Sequence, residues 1–195
     1  MIESRLRLLK SPQLSSIREE LENRIQTWSD SNFSSLRDLI QHRRISSLLQ
    51  HCAERTKSDE GTIWLLAPEL KHLEAVYNSG VQPSKIVGFR QSIGSGIISL
   101  VFSQEQPYCE NEISEHSAHD KTLDEQAEVQ TSAMIAVPFY FAFGLRGVVT
   151  MVQLGNHHKD GFSSQHVADL QRTTHIIEQL LDARLINAAM GLDGK

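Results

Sequence analysis

Apolar residues recur every three or four positions along the first third of the chain, which is the spacing of one helix face. Ser11 and Pro12 are typical of a helix start, because serine caps free amide groups and proline fits the first turn. The apolar positions that follow form a heptad-like seam: Leu14, Ile17, Leu21, Ile25 and Trp28. A polar stretch at 29–31 predicts a break, and residues 33–57 predict a second helix.

After residue 57 the pattern changes to the β-branched and aromatic runs of strands. The predicted strands are 62–67, 73–79, a short strand around Tyr108, 132–139 and 147–154. The first two predict one antiparallel hairpin and the last two a second, with Gly144 between them and Pro138 ending a buried strand. Ser163 then caps a last helix of about 27 residues. This order predicts an α+β domain with an antiparallel sheet.

Composition and charge restrict the partners. The 195 residues carry 19 basic and 24 acidic side chains, a net charge of -5, which does not fit a general nucleic-acid binder. Two cysteines do not make a disulfide framework. The N-terminus is charged at once, and the longest apolar run, 133–143, is too short to span a membrane. We therefore expect a reduced, cytoplasmic protein that binds neither nucleic acid nor membranes.

Four short motifs then occur in a characteristic order. They are Ile93-Gly94-Ser95-Gly96-Ile97 continuing to Gln106-Pro107, Thr131 to Pro138, Gly147-Val148-Val149 through Asn156, and Phe162 with the polar turn after it. Together they resemble the motifs of GAF domains, and the similarity covers about residues 36–185.

The resemblance implies a PAS-related, six-stranded antiparallel sheet with helices on both faces. It also implies a small-molecule pocket on one face, and long N- and C-terminal helices that pack together and often dimerise. On this basis the chain divides into an N-terminal helical extension, 1–32, a GAF-like domain, 33–190, and a short tail, 191–195. The extension is a candidate dimerisation helix. Because fold does not give function, the site must be argued separately.

Several residues depart from the cyclic-nucleotide-binding members of that family. Asn156 and Phe162 match their signature, but His157 occupies the lysine position and His166 stands where an acidic residue is expected. The segment 105–128 carries eight carboxylates against one lysine and repels phosphate. We therefore expect no tight binding of a cyclic nucleotide.

The remaining candidate residues each have two possible roles, one functional and one purely structural. Gly94 and Gly96 form a backbone turn, which either packs a helix or offers amides to an anion. Cys52 is expected in the core, while Cys109 is either an ordinary strand residue or a redox sensor. The histidine clusters are expected to be solvated loops, with metal binding as the alternative: His116, His119 and Asp120, and His157, His158 and Asp160.

We therefore expect a non-catalytic GAF sensory module that needs no cofactor or metal. The ligand is unidentified, and the candidate pocket residues are Trp64, Tyr77, Arg90, Ile97, Cys109, Met134 and Thr150. Arg90 is the candidate cation for a ligand carboxylate. The apolar stripes of 11–28 and 167–188 predict a homodimer through the terminal helices, and the simpler alternative is that the first helix folds back onto its own domain. Few residues follow the last helix, so we expect an output protein in trans. The alternatives are an interaction module with a self-filled pocket, and a small redox or sulfoxide-reducing enzyme using Cys109.

Overall fold

The computed structural model describes residues 11–113, 122–155 and 160–190. The chain begins with three helices, α1 (Ser11–Ser31), α2 (Phe33–Ile40) and α3 (Arg43–Thr56). The break predicted at 29–31 falls at Asn32, whose side-chain amide donates to the Trp28 carbonyl at 2.8 Å. This bond satisfies a carbonyl at the end of α1 and stops the helix.

The single helix predicted for 33–57 is wrong, because the chain breaks between α2 and α3. His42 has an extended backbone, and its Nδ1 accepts a hydrogen bond from the Arg44 amide at 3.2 Å. This side-chain cap starts a new helix at Arg43. The sequence does carry a signal for this break, because Arg43 and Arg44 interrupt the apolar stripe and leave Ile40 and Ile45 five positions apart.

Six strands form one sheet, and every neighbouring pair is antiparallel. The strands are β1 (Glu60–Leu66), β2 (His72–Asn78), β3 (Arg90–Ser92), β4 (Tyr108–Glu110), β5 (Thr131–Phe141) and β6 (Gly144–Leu154). Their order across the sheet is β3-β2-β1-β6-β5-β4. Both predicted hairpins are confirmed, and the sheet has the expected α+β arrangement. The strand not located in the sequence is β3, whose three residues are too few for a periodic pattern.

Pro138 was predicted to end its strand, but β5 continues to Phe141. The pairing of β4 with β5 stops at Tyr108 and Ala136, so beyond that point β5 has a neighbour only in β6. Proline removes one amide donor, and a strand tolerates that loss where no second strand needs the donor.

Helices cover both faces of the sheet. On one face lie α1, α2, α3 and α6 (Ser164–Met190), and on the other lie α4 (Ile97–Gln104) and α5 (Thr122–Ala127). Side chains of β5 alternate between the two cores, with Ile135 on the α6 face and Met134 on the α4 face. None of the described helices is long and apolar enough to cross a membrane.

The terminal helices pack together. Ile25 of α1 shares one core with Leu181 and Leu185 of α6, and all three are at most 1% exposed. The turn between β5 and β6 is tied to α6, because Asp182 accepts a hydrogen bond from the Ala142 amide at 2.7 Å. Cys52 also lies in this core, as predicted.

Substitution of Gly147 tests the close backbone contact between β6 and β1. It pairs with Leu65 of β1, and an added Cβ would clash with the Trp64 carbonyl oxygen. We expect Gly147→Ala to lower the unfolding free energy by about 2 kcal/mol or more, because backbone cannot yield as a side chain does. Gly144→Ala is the control, since nothing lies within 4 Å of a Cβ there. Equal melting temperatures for the two variants would contradict the close approach.

Candidate functional site

A cavity of about 40 Å³ lies between the sheet and helices α4 and α5. One ordered water needs about 10–15 Å³ of cavity volume, so the cavity holds a few waters or a small chemical group. Four of the seven predicted pocket residues line it: Trp64, Ile97, Met134 and Thr150. They come from β1, α4, β5 and β6, so the cavity joins the two central strands to the helices above them.

Trp64 forms much of the cavity wall and is 1% exposed. Its indole Nε1 donates to the Thr150 hydroxyl at 3.2 Å, which satisfies a buried polar atom. The ring edge also packs at a right angle to Phe89, with 6.4 Å between ring centroids. The ring is thus fixed from two sides, which makes it a rigid wall.

Gly96 lines the same cavity and ends the turn before α4, with a φ of 86° that disfavours other residues. Gly94 is exposed and lies outside the cavity, and a side chain would fit there. The loop between them is held by Gln91, whose amide donates to the Ser95 carbonyl at 3.0 Å. Of the two glycines, Gly96 is therefore the one whose backbone conformation is demanding.

Tyr77 lies on the opposite face of the sheet, packed against the core that contains α6. The cause is a bulge in β2, where Tyr77 pairs with Ile63 but Ala75 pairs with Trp64. Val76 is the extra residue, and its carbonyl accepts a hydrogen bond from the Gln41 side chain at 3.2 Å. Strict alternation along β2 therefore places Tyr77 on the wrong face.

Arg90 also lies outside the cavity. Its guanidinium pairs with Glu74 at 3.0 Å and with Glu69 at 3.3 Å. Glu74 is 4% exposed and also pairs with Arg37 of α2, so this carboxylate joins β2 to β3 and to α2. Arg90 is thus committed to a structural ion pair. The next residue along β3, Gln91, lines the cavity instead.

Cys109 pairs with Ile135, which places it on the α6 face, away from the cavity. Its Sγ lies 3.9 Å from the Phe162 carbonyl oxygen. Although the residue is at the surface, desolvation and the nearby Glu110 charge raise the pKa of its thiol. Burial raises the pKa of the Cys52 thiol as well. A raised pKa lowers the thiolate fraction, so neither thiol has the environment of a reactive cysteine.

Sequence reasoning missed the polar part of the cavity, which contains Glu60, Asp124, Thr62 and Thr131. Asp124 accepts hydrogen bonds from both the amide and the hydroxyl of Thr131 at 2.8 Å. A signal was available at Glu60 and Thr62, because both are separated from Trp64 by an even number of positions along β1. Asp124 sits in a short helix that the sequence pattern does not reveal.

The charge of the cavity lining is negative. Among the described residues that line it, Glu60 and Asp124 are acidic and none is Lys, Arg or His. Burial raises the pKa of the Glu60 carboxyl, and the charges of Asp59 and Asp124 raise it further, while a hydrogen bond from Asn78 lowers it. Such a lining disfavours an anionic ligand, because a buried anion needs an opposite charge.

No group of three or more potential metal ligands occurs in the described ranges 11–113, 122–155 and 160–190. Asp160 is described, but both predicted histidine clusters lie outside these ranges: His116, His119 and Asp120 in one, His157 and His158 in the other. Asn156 of the family motif lies outside them too. Metal binding by these histidines stays an open alternative.

Glu60 makes stability depend on pH. Its raised pKa means that the folded protein binds this proton more tightly than the unfolded chain does. The stability from the protonated form is present below the unfolded pKa and is lost as pH rises through the folded pKa. We expect Glu60→Gln to melt at a higher temperature than the parent at pH 7, with the difference shrinking toward pH 4.

Circular dichroism melts over that pH range measure the effect. Glu54→Gln is the control, because Glu54 is an exposed glutamate of α3 and the charge change is the same. A difference between Glu60→Gln and the parent that does not vary with pH would rule out the buried carboxyl as its cause.

Comparison with known proteins gives a fold but no close relative. No protein-family model and no curated protein matches the sequence. Among solved structures, the GAF domain of a phosphoenolpyruvate-protein phosphotransferase from Coxiella burnetii is 18% identical, with a TM-score of 0.62 over 87% of this chain and 95% of that one. The second GAF domain of DevS from Mycobacterium smegmatis is 13% identical, with a TM-score of 0.55 over 76% and 96%.

An enzyme shares the same architecture. The free methionine-R-sulfoxide reductase from Neisseria meningitidis, solved with its substrate, is 15% identical, with a TM-score of 0.58 over 91% of this chain and 95% of that one. Identities this low establish the fold and leave the activity open.

Proposed function

We propose that this chain, which has the fold of GAF domains, is a non-catalytic sensory or regulatory module that binds a small molecule and signals through its terminal helices. The observation that carries the proposal is the arrangement of the neighbouring strands β5 and β6. Thr150 of β6 and Met134 of β5 line the cavity, while the adjacent Val149 and Ile135 pack in the core with α6. A group entering the cavity therefore presses on strands that support the last helix.

The route from the cavity to the helices is short. Beyond the α6 core, Arg146 at the start of β6 forms an ion pair with Asp30 near the end of α1, at 2.6 Å. One strand is thus joined to both terminal helices. A ligand that fits one strand and helix arrangement better than another would shift the population toward it. The signal would pass to a partner protein that contacts α1 or α6.

The ligand class follows from the lining. Apolar surface from Trp64, Ile97 and Met134 surrounds a polar end that contains Glu60 and Asp124. This supports a small, mixed polar and apolar ligand with hydrogen-bond donors. It also supports the expectation that cyclic nucleotides do not bind tightly, because the described part of the lining offers their phosphate two carboxylates and no Lys, Arg or His.

A second candidate function is an interaction module whose cavity is filled by its own side chains. The observation that favours it is the size of the cavity, since about 40 Å³ is well below the roughly 300–1,000 Å³ of ordinary ligand pockets. Two large side chains, Trp64 and Met134, line this small cavity.

Native mass spectrometry distinguishes these two functions. We expect freshly purified protein to carry a bound small molecule that denaturation releases. Ala127→Met should reduce its occupancy several-fold, because Ala127 lines the cavity and methionine fills gaps. Ala183→Met, on the exposed side of α6, is the matched control and should retain the ligand. Parent protein that carries no bound molecule would favour the self-filled module.

The sulfoxide-reducing alternative has less support from the site. The fold occurs in reductases of free methionine sulfoxide, but both thiols here have raised pKa values and Cys109 lies on the far side of the sheet from the cavity. Nucleophilic attack on a sulfoxide requires a thiolate next to the bound substrate. The non-catalytic function is therefore the better supported of the two.

We also propose that the chain forms a homodimer through its terminal helices. Each of these helices keeps an isoleucine in solvent, Ile17 on α1 at 52% exposed and Ile176 on α6 at 45%. The C-terminal part of α1 packs on its own domain through Ile25, as the simpler alternative predicts, but Ile17 is left uncovered. The predicted stripe of α6 is covered by its own domain, since Leu170, Ile177 and Leu181 are 0% exposed, so the proposal rests on the two exposed isoleucines, which a second chain would cover.

Analytical ultracentrifugation tests the dimer. We expect a dimer at micromolar concentration that the double variant Ile17→Asp, Ile176→Asp weakens at least tenfold, because both charges would be buried in the interface. Val81→Asp is the control, since Val81 is 98% exposed in a loop after β2. A parent chain that sediments as a monomer over the whole concentration range would contradict the interface.

A further inference from the structure

A second cavity, of about 340 Å³, lies where the end of α1 meets the edge of the β1–β2 hairpin. It is about eight times the size of the first cavity and falls within the range of ordinary ligand pockets. Leu65 lines this cavity and the adjacent Trp64 lines the first, so the two cavities lie on opposite faces of β1. The proposed function uses the Arg146–Asp30 ion pair at one end of this cavity but assigns no ligand to the cavity itself.

The walls of the second cavity are mainly apolar. They are formed by Phe33, Leu36, Leu65, Leu66, Pro68 and Leu70. Leu70 is 63% exposed and stands at the rim, while Leu36 and Leu65 are buried beneath. This surface suits an alkyl or aryl body, because burying such a group removes both its own apolar surface and that of the wall from water.

The polar groups of this cavity are concentrated at one end, where Ser29, Asp30 and Arg146 line it. Ser29 is 2% exposed, and its hydroxyl has no hydrogen-bond partner within the described parts of the chain. The Nε of Arg146 is likewise buried without an acceptor there, although Nη1 of the same side chain pairs with Asp30 at 2.6 Å. Two buried donors thus lack an acceptor, which is uncommon in folded proteins.

We propose that the second cavity binds an amphipathic carboxylate, with its apolar body along the leucine wall and its headgroup on Arg146 and Ser29. A planar carboxylate accepts two hydrogen bonds from one guanidinium, and the Ser29 hydroxyl supplies a third donor. The headgroup takes the place of Asp30, whose side chain is 65% exposed and returns readily to water. Binding would therefore exchange the contact of β6 with α1 for a contact with the ligand.

The charge of the site favours a carboxylate over the other amphipathic classes. Arg146 is the only cation among the described residues that line this cavity, and Asp30 is the only acid. An alkylamine would repel the guanidinium, and an alcohol, which carries no charge, would displace Asp30 without supplying a counter-charge to Arg146. The matched probes are therefore octanoate, octylamine and 1-octanol, which share one apolar chain and differ in the headgroup.

Isothermal titration calorimetry with these three probes tests the proposal on the full chain. We expect saturable binding of octanoate, with octylamine and 1-octanol at least tenfold weaker. Arg146→Gln should remove most of the octanoate affinity. Ser29→Ala should weaken binding several-fold while the free protein melts at the same or a higher temperature, because the substitution removes an unpaired buried hydroxyl.

Asp30→Asn is the most discriminating variant. If the ligand carboxylate replaces Asp30, removing the competing charge should tighten octanoate binding roughly tenfold. Asp38→Asn, an exposed aspartate of α2 outside the cavity, makes the same change in net charge and should leave the affinity unchanged. Equal gains in the two variants, equal binding of the three probes, or no saturable heat with octanoate would each overturn the proposal.

Discussion

The structure depends on the burial of both faces of the β5–β6 hairpin. Each strand has 11 residues, and successive side chains enter two different cores. A one-residue slip between them would exchange the α6 core with the cavity lining, so the register is strongly specified. Gly147 allows β6 to approach the β1 backbone closely, and β1 joins the hairpin to β2 and β3. The register that places side chains in the α6 core therefore also determines which side chains line the cavity.

Much of this fold could be read from the sequence because it rests on long periodic segments. The seam of α1, both hairpins and the 27-residue α6 all have patterns that extend over many residues. The break between α2 and α3 was not predicted, although Arg43 and Arg44 interrupt the apolar stripe there, because the new helix start depends on a histidine side-chain cap. Pro138 was misplaced for a related reason: its tolerance depends on where the neighbouring β4 stops, which is a tertiary fact.

The site was less predictable, and the errors have definite physical causes. Tyr77 was a candidate cavity residue, but the bulge at Val76 changes the alternation along β2 and places it on the α6 face. Arg90 was selected as the candidate cation for a ligand carboxylate, but its neighbour Gln91 on β3, a strand that was not predicted, lines the cavity instead. Arg90 forms an ion pair with Glu74, a buried acid that also pairs with Arg37. Glu60, by contrast, has no cation paired with it in the structure described here, which is why its charge affects the cavity.

The two edges of the sheet are formed by β3 and β4, which have three residues each. Open edges normally invite a strand from another chain, and short edges are one way in which proteins prevent this. A partner that added a strand here would form only a few backbone hydrogen bonds. These would offset little of the conformational entropy that the partner loses when its strand becomes ordered. Association by strand exchange or fibril-like stacking is therefore disfavoured at both margins. A protein partner is therefore expected to contact side chains of this domain rather than the backbone of its two edge strands.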